Sequence, residues 1–60
     1  MIDLEKIRVE KNLTMSQVAE KSGISLSFYC QIENKNRRPS VDVAKKIASV
    51  LDFDWTLLFA

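Results

Sequence analysis

Residues 13–25 read Leu13-Thr14-Met15-Ser16-Gln17-Val18-Ala19-Glu20-Lys21-Ser22-Gly23-Ile24-Ser25, and Leu26-Ser27-Phe28-Tyr29-Cys30-Gln31-Ile32-Glu33-Asn34 follows without a break. Thr14 is a helix N-cap by type, because its hydroxyl accepts a hydrogen bond from a free N–H of the first turn. Gln17 stands three residues on, the spacing of a capping box. The pattern predicts a two-turn helix over 15–22, with Val18 and Ala19 inward and Ser16, Gln17, Glu20 and Lys21 toward solvent. Gly23 stops it, since glycine takes positive φ without steric cost. Ser25 caps the next helix, predicted over 26–34, in which Tyr29 and Ile32 share a buried face.

Working outward from this pair, residues 2–11 read as an amphipathic helix with Leu4, Ile7 and the stem of Lys11 on one face, ended by Asn12-Leu13. Residues 35–39, Lys-Asn-Arg-Arg-Pro, form a basic loop, and Pro39 disfavours helix just before it. Ser40 caps a fourth helix over 41–51, where Val43, Ala44, Ile47, Ala48 and Leu51 follow a 3.6-residue period. Asp54 caps a short last helix containing Trp55, Leu58 and Phe59. The expectation is an all-α, compact five-helix fold occupying residues 1–60 as one domain, with no linker, repeat or low-complexity stretch.

Composition narrows the function classes. Sixty residues allow one small core, and 47% apolar residues are enough to build it. One Gly and one Pro are too few for the turns of an all-β chain. A single cysteine excludes an internal disulfide, and the absence of histidine removes Cys/His zinc sites and His-based catalytic triads. No metal or cofactor is expected, and no enzyme. No run approaches a membrane span and no signal-peptide pattern opens the chain, so no membrane partner and a cytoplasmic setting are expected. The net charge is only +1. Its distribution is uneven: residues 1–22 balance, residues 41–60 are slightly acidic, and residues 23–40 carry Lys35, Arg37 and Arg38 against Glu33. Taken alone, three cations are also what an ordinary solvated loop carries.

The joint spacing in residues 14–34 has a further meaning. A helix-turn-helix needs a small residue where its helices cross, a positive-φ turn residue, and apolar positions that hold the second helix down. Ala19, Gly23, and Ile24 with Tyr29 and Ile32 supply these. The opposite face of the second helix can then enter a DNA major groove.

The run from Leu13 to Ser25 resembles the signature of the phage-repressor/Cro, or XRE, family of helix-turn-helix regulators. So do Ile32-Glu33-Asn34 before Lys35-Asn36-Arg37-Arg38-Pro39-Ser40, and Ala44-Lys45-Lys46-Ile47-Ala48 before Leu51. The resemblance covers essentially the whole chain. It implies a repressor-like domain that binds operator DNA, usually as a homodimer on a palindromic site, with helices 2 and 3 as the motif.

The resemblance also assigns roles. Thr14, Met15, Ser16 and Gln17 would meet the DNA backbone; the family commonly has Gln where this chain has Met15, whose side chain cannot donate a hydrogen bond. The first-turn N–H groups remain for a phosphate. Ser25, Leu26, Ser27, Phe28 and Gln31 would face bases, Gln31 pairing with adenine and Leu26 or Phe28 touching a thymine methyl. Phe28 has an equally simple reading as a half-buried packing residue, and Cys30 reads as packing rather than redox. Asn34, Lys35, Asn36, Arg37 and Arg38 would follow the phosphates. Lys35 stands where the family often has Gly, so another way to turn the chain is expected there. Arg8 and Glu33 would form a structural ion pair between the first and third helices. Trp55, Leu58 and Phe59 would close the core and in part form a dimer interface.

The expected function is therefore a double-stranded DNA-binding transcriptional regulator, most simply a repressor acting as a homodimer, with no small-molecule ligand. The competing class is a protein-interaction module, such as an antitoxin or anti-repressor, that works through a protein partner.

Overall fold

The computed structural model describes residues 2–59. It consists of α1 (Leu4–Glu10), α2 (Met15–Ser22), α3 (Leu26–Glu33), α4 (Val41–Leu51) and a C-terminal 3-10 turn (Trp55–Leu58). The fold is all-helical among the described residues, with four α-helices rather than five. The last element tightens to 3-10 because Asp54 Oδ1 accepts from both the N–H and the hydroxyl of Thr56, at 3.0 and 2.8 Å. Its backbone bonds then run three residues apart, Leu57 N–H to Asp54 O and Phe59 N–H to Thr56 O.

Every α-helix starts on a side-chain cap. Asp3, Thr14, Ser25 and Ser40 accept from the N–H groups of Lys6, Gln17, Phe28 and Val43. Asp3 explains why α1 begins at Leu4 rather than at residue 2 and leaves Ile2 outside the helix. Thr14 completes a full capping box, with its own N–H donated to Gln17 Oε1 at 2.8 Å.

Every α-helix also ends the same way. Asn12, Gly23, Lys35 and Asp52 all have φ between 59° and 71°. In each case the next residue's N–H reaches back to a carbonyl five positions earlier: Leu13 to Arg8, Ile24 to Ala19, Asn36 to Gln31 and Phe53 to Ala48. Such left-handed closures satisfy carbonyls that the helix leaves free. The chain therefore turns at Lys35 as it would at a glycine, with a lysine held in the left-handed region. This corrects the expectation of another way to turn: Lys35 makes the left-handed closure itself.

The core is built from Leu4, Val18, Ala19, Tyr29, Ile32, Ala44, Ile47, Leu51 and Leu58, with Ala48 also buried. Tyr29, Val18, Ala44, Ile47 and Leu51 are fully enclosed. The 3.6-residue spacing of Ala44, Ile47, Ala48 and Leu51 makes α4 the spine against which α2 and the 3-10 turn pack. Ser22 is buried with them at the end of α2, and its Oγ has no protein partner. No helix among the described residues is long and apolar enough to cross a membrane.

Candidate nucleic-acid interface

The geometry of α3 follows from its two buried residues. At 100° per residue, Tyr29 and Ile32 lie on one side and Ser27, Gln31 and Asn34 form a stripe on the other. All three of the latter are exposed, as are Ser25 and Leu26 at the helix start. Phe28 and Cys30 fall on the flanks and are half-buried. This face offers few polar groups: the amides of Gln31 and Asn34, the hydroxyl of Ser27 and a methyl-rich corner at Leu26.

The crossing of α2 over α3 places this face. Ala19 and Val18 are buried at the crossing, and the Gly23 closure swings the chain into Ser25. A Cβ at Gly23 would meet nothing within 4 Å. The requirement at this position is therefore backbone conformation, φ 71°, and not space.

At the start of α2, three of the sequence-selected residues are already engaged. Thr14 Oγ1 and Gln17 Oε1 are spent on the capping box, which leaves the Gln17 amide NH2 and the Thr14 hydroxyl proton free to donate. Met15 turns inward against the core cluster, and its Sδ lies 3.8 Å from Cys30 Sγ. Its side chain is therefore a packing group. What this end offers outward is the exposed Ser16 and the first-turn N–H groups that α-helical bonding cannot satisfy.

Beyond α3, Asn34, Lys35, Asn36, Arg37 and Arg38 are all exposed. Arg37 is not free-swinging: its guanidinium sits over the Phe28 ring, 4.8 Å from the centroid. Phe28 thus serves as a platform for a loop cation, a pairing that local periodicity does not reveal. Pro39 is buried and anchors the loop before α4.

One polar network holds this surface to the rest of the molecule. Arg8 Nε donates to Glu33 Oε1 at 2.8 Å and Arg8 Nη2 to Oε2 at 3.4 Å. Arg8 Nη1 donates to the Leu13 carbonyl at 2.9 Å, and the Tyr29 hydroxyl donates to Glu33 Oε1 at 3.1 Å. The Glu33 side chain is 3% exposed and that of Arg8 12%. The fork–carboxylate match favours the charged guanidinium: the hydrogen bond to Glu33, opposed in part by burial, raises the Arg8 pKa. Burial, then the Glu33 charge and hydrogen bond, pushes the Tyr29 phenol well above its ordinary range. The network ties α1, the α1–α2 turn and the end of α3 together.

The C-terminal apolar group divides. Leu58, which the sequence groups with Trp55 and Phe59 as part core and part dimer surface, is a core residue, 7% exposed. Trp55 and Phe59 are half-buried and meet edge to face, 6.0 Å between centroids, with the Lys45 ammonium 5.3 Å from the Trp55 ring centre. Leu57, which the sequence did not single out, is 43% exposed beside them. The 3-10 turn rotates Leu57 outward where Leu58 points in.

Comparison with known proteins agrees with this geometry. The helix-turn-helix family matches residues 4–58. The chain is 48% identical over 56 residues to the uncharacterized HTH-type transcriptional regulator YqaF of Bacillus subtilis (strain 168), covering 93% of this chain and 74% of that protein. It is 36% identical over 50 residues to the HTH-type transcriptional regulator SinR of the same organism, covering 82% of this chain but only 45% of SinR. The solved N-terminal DNA binding domain of SinR from Bacillus subtilis superposes with a TM-score of 0.84 at 31% identity, over 95% of this chain and 84% of that one.

Proposed function

Because this chain belongs to the helix-turn-helix family of XRE-type transcriptional regulators, we propose that residues 1–60 act as one DNA-binding unit, a cytoplasmic repressor that occupies a palindromic operator as a homodimer. The observation that carries the reading is the exposed Ser27–Gln31–Asn34 stripe of α3, opposite its buried side and continuous in sequence with the Lys35–Arg38 loop. A helix presented this way fits the major groove, and cations after it fit the phosphates. The likeness to the SinR DNA-binding domain supports the same assignment.

In this reading Gln31 and Ser27 read base edges, and Leu26 meets a thymine methyl. Ser25 donates its hydroxyl proton while its oxygen caps α3. Phe28 contributes by orienting Arg37. Thr14, Ser16, Gln17 and the backbone of Met15 receive a phosphate at the α2 N-terminus. Asn34, Lys35, Asn36, Arg37 and Arg38 contact phosphates. Arg8 and Glu33 fix the orientation of α3. No step is catalytic: occupancy of the operator is the activity.

The homodimer has a geometric reason. The molecule measures 24 × 21 × 18 Å, too short for one copy to reach two half-sites roughly 34 Å apart. Trp55, Phe59 and Leu57 form the surface for the second copy.

Selection of bound sequences from random duplex DNA tests the reading. A palindromic consensus, with retention falling steeply as salt rises, is the expected result. Gln31→Ala should cost about 1–3 kcal/mol on that consensus and little on random DNA. Recovery of no preferred sequence, together with stable capture of a protein partner, would favour the interaction-module reading instead.

A further inference from the structure

A cleft opens where the end of α3 and the basic loop face the two chain ends, with a volume of about 150 Å³. Its floor is apolar: Ile2, Leu4, Ile32, Pro39 and Leu58. Its rim carries Lys35, Arg37 and Arg38. Glu33 also borders it, but that carboxylate is already held by Arg8 and Tyr29 and offers little repulsion. A cavity of this size matches apolar cavities that accept a benzene ring. Lys35 and Arg38 beside such a floor, with the adjacent acid already ion-paired, complement an anion attached to a small apolar body.

We propose that this cleft binds a small aromatic carboxylate, its ring against Leu4, Ile32 and Leu58 and its carboxylate on the guanidinium of Arg38, with the Lys35 ammonium as the second cation. Arg38 suits a planar carboxylate because its fork donates in a parallel pair, while the Arg37 guanidinium stays on Phe28. Leu58 thereby has a second role besides closing the core. The same loop cations are those assigned above to DNA phosphates. Occupancy of the cleft would therefore lower DNA affinity, and this consequence, unlike ligand binding itself, rests on the DNA-binding reading. From the sequence no small-molecule ligand is expected, because the floor residues come from both ends of the chain, from α3 and from the loop before α4, and meet only in the fold.

The experiment uses benzoate as the probe on the 60-residue chain. Methyl NMR spectra should show saturable shifts confined to Ile2, Leu4, Ile32 and Leu58, with a dissociation constant on the order of 1 mM, as fits a ligand of this size. Benzyl alcohol, lacking the charge, and acetate, lacking the ring, should each bind at least about tenfold more weakly, since both parts of the site are used. Arg38→Ala should weaken benzoate by a similar factor. Ile2→Trp, which fills the cleft from its apolar floor and leaves the cations in place, should abolish the shifts. Saturating benzoate at constant ionic strength should raise the DNA dissociation constant several-fold for the parent chain and leave it unchanged for Ile2→Trp.

The proposal is overturned if benzoate moves none of these methyls, or if acetate moves them equally well. It also fails if the same methyls shift on dilution without benzoate, since a second copy or the chain's own ends then occupy the cleft. Benzoate binding in a protein that shows no DNA affinity would leave the site standing and overturn only the DNA-binding reading.

Discussion

At the scale of single residues, the Arg8–Glu33–Tyr29 network is where energy and orientation meet. Removing one member of a buried pair leaves the other charge uncompensated. Glu33→Ala should therefore cost about 3 kcal/mol, measured by urea unfolding. Replacing both partners by apolar residues should cost much less, because desolvation of the pair offsets most of its attraction. Tyr29 is the only tyrosine in the chain, so tyrosinate absorbance reports on it alone. Its midpoint should lie well above the ordinary value of about 10 in the folded protein and return to that value in denaturant. The folded state then holds more protons than the unfolded state above about pH 10, so this contribution to stability is complete below that pH and is lost as pH rises through the folded pKa. Tyr29→Phe should flatten that alkaline loss. Asp54 has the opposite sign: the Thr56 N–H, then the Thr56 hydroxyl, hold its carboxyl below the usual range. Its contribution is present above the unfolded carboxylate pKa and is lost as pH falls through the folded one.

At the scale of elements, the four helices share one grammar, a polar N-cap and a left-handed closure, but only one closure uses glycine. Non-glycine residues in that conformation cost roughly 1 kcal/mol. Lys35→Gly should accordingly raise stability by about 1 kcal/mol, and Gly23→Ala should lower it by about the same amount through backbone strain alone. Thermal unfolding of both variants checks the pair. The two substitutions separate stability from binding, because Lys35→Gly also removes a loop cation and should weaken DNA affinity while the fold becomes firmer. The helix boundaries were legible for α2 and α4 because caps and periodicity agree there. They were less so for α1, where Asp3 was not read as the cap. The short last helix capped by Asp54 was legible, but not its 3-10 form, because a single aspartate bonding Thr56 twice tightens the turn in a way apolar spacing does not show.

At the scale of the whole molecule, affinity and assembly are separate tests. If Arg37 and Arg38 contact phosphates as proposed, the Arg37→Ala, Arg38→Ala double variant should weaken binding to every sequence and reduce the slope of log K against log salt by about 1.8. The division of the C-terminal cluster makes a matched prediction. In the proposed homodimer, Leu57→Asp should shift sedimentation from dimer to monomer with little loss of monomer stability, since that side chain is exposed. Leu58→Ala should instead destabilise the monomer by about 2–5 kcal/mol, since that side chain is core.

What the sequence determined was whatever depends on neighbours along the chain. Thr14 with Gln17, Gly23, Ser25, the Tyr29–Ile32 face and the spacing in 41–51 each carry their meaning within a few residues, and helical geometry converts that spacing into faces. Tertiary structure decided everything that joins distant positions. It turned Met15 inward onto Cys30, laid Arg37 on Phe28, closed Arg8 onto Glu33 across 25 residues, sent Leu58 in and Leu57 out, and gathered both chain ends into a cleft beneath the basic loop. Local pattern encodes direction around a helix axis. Which partner waits in that direction is set only when the helices pack.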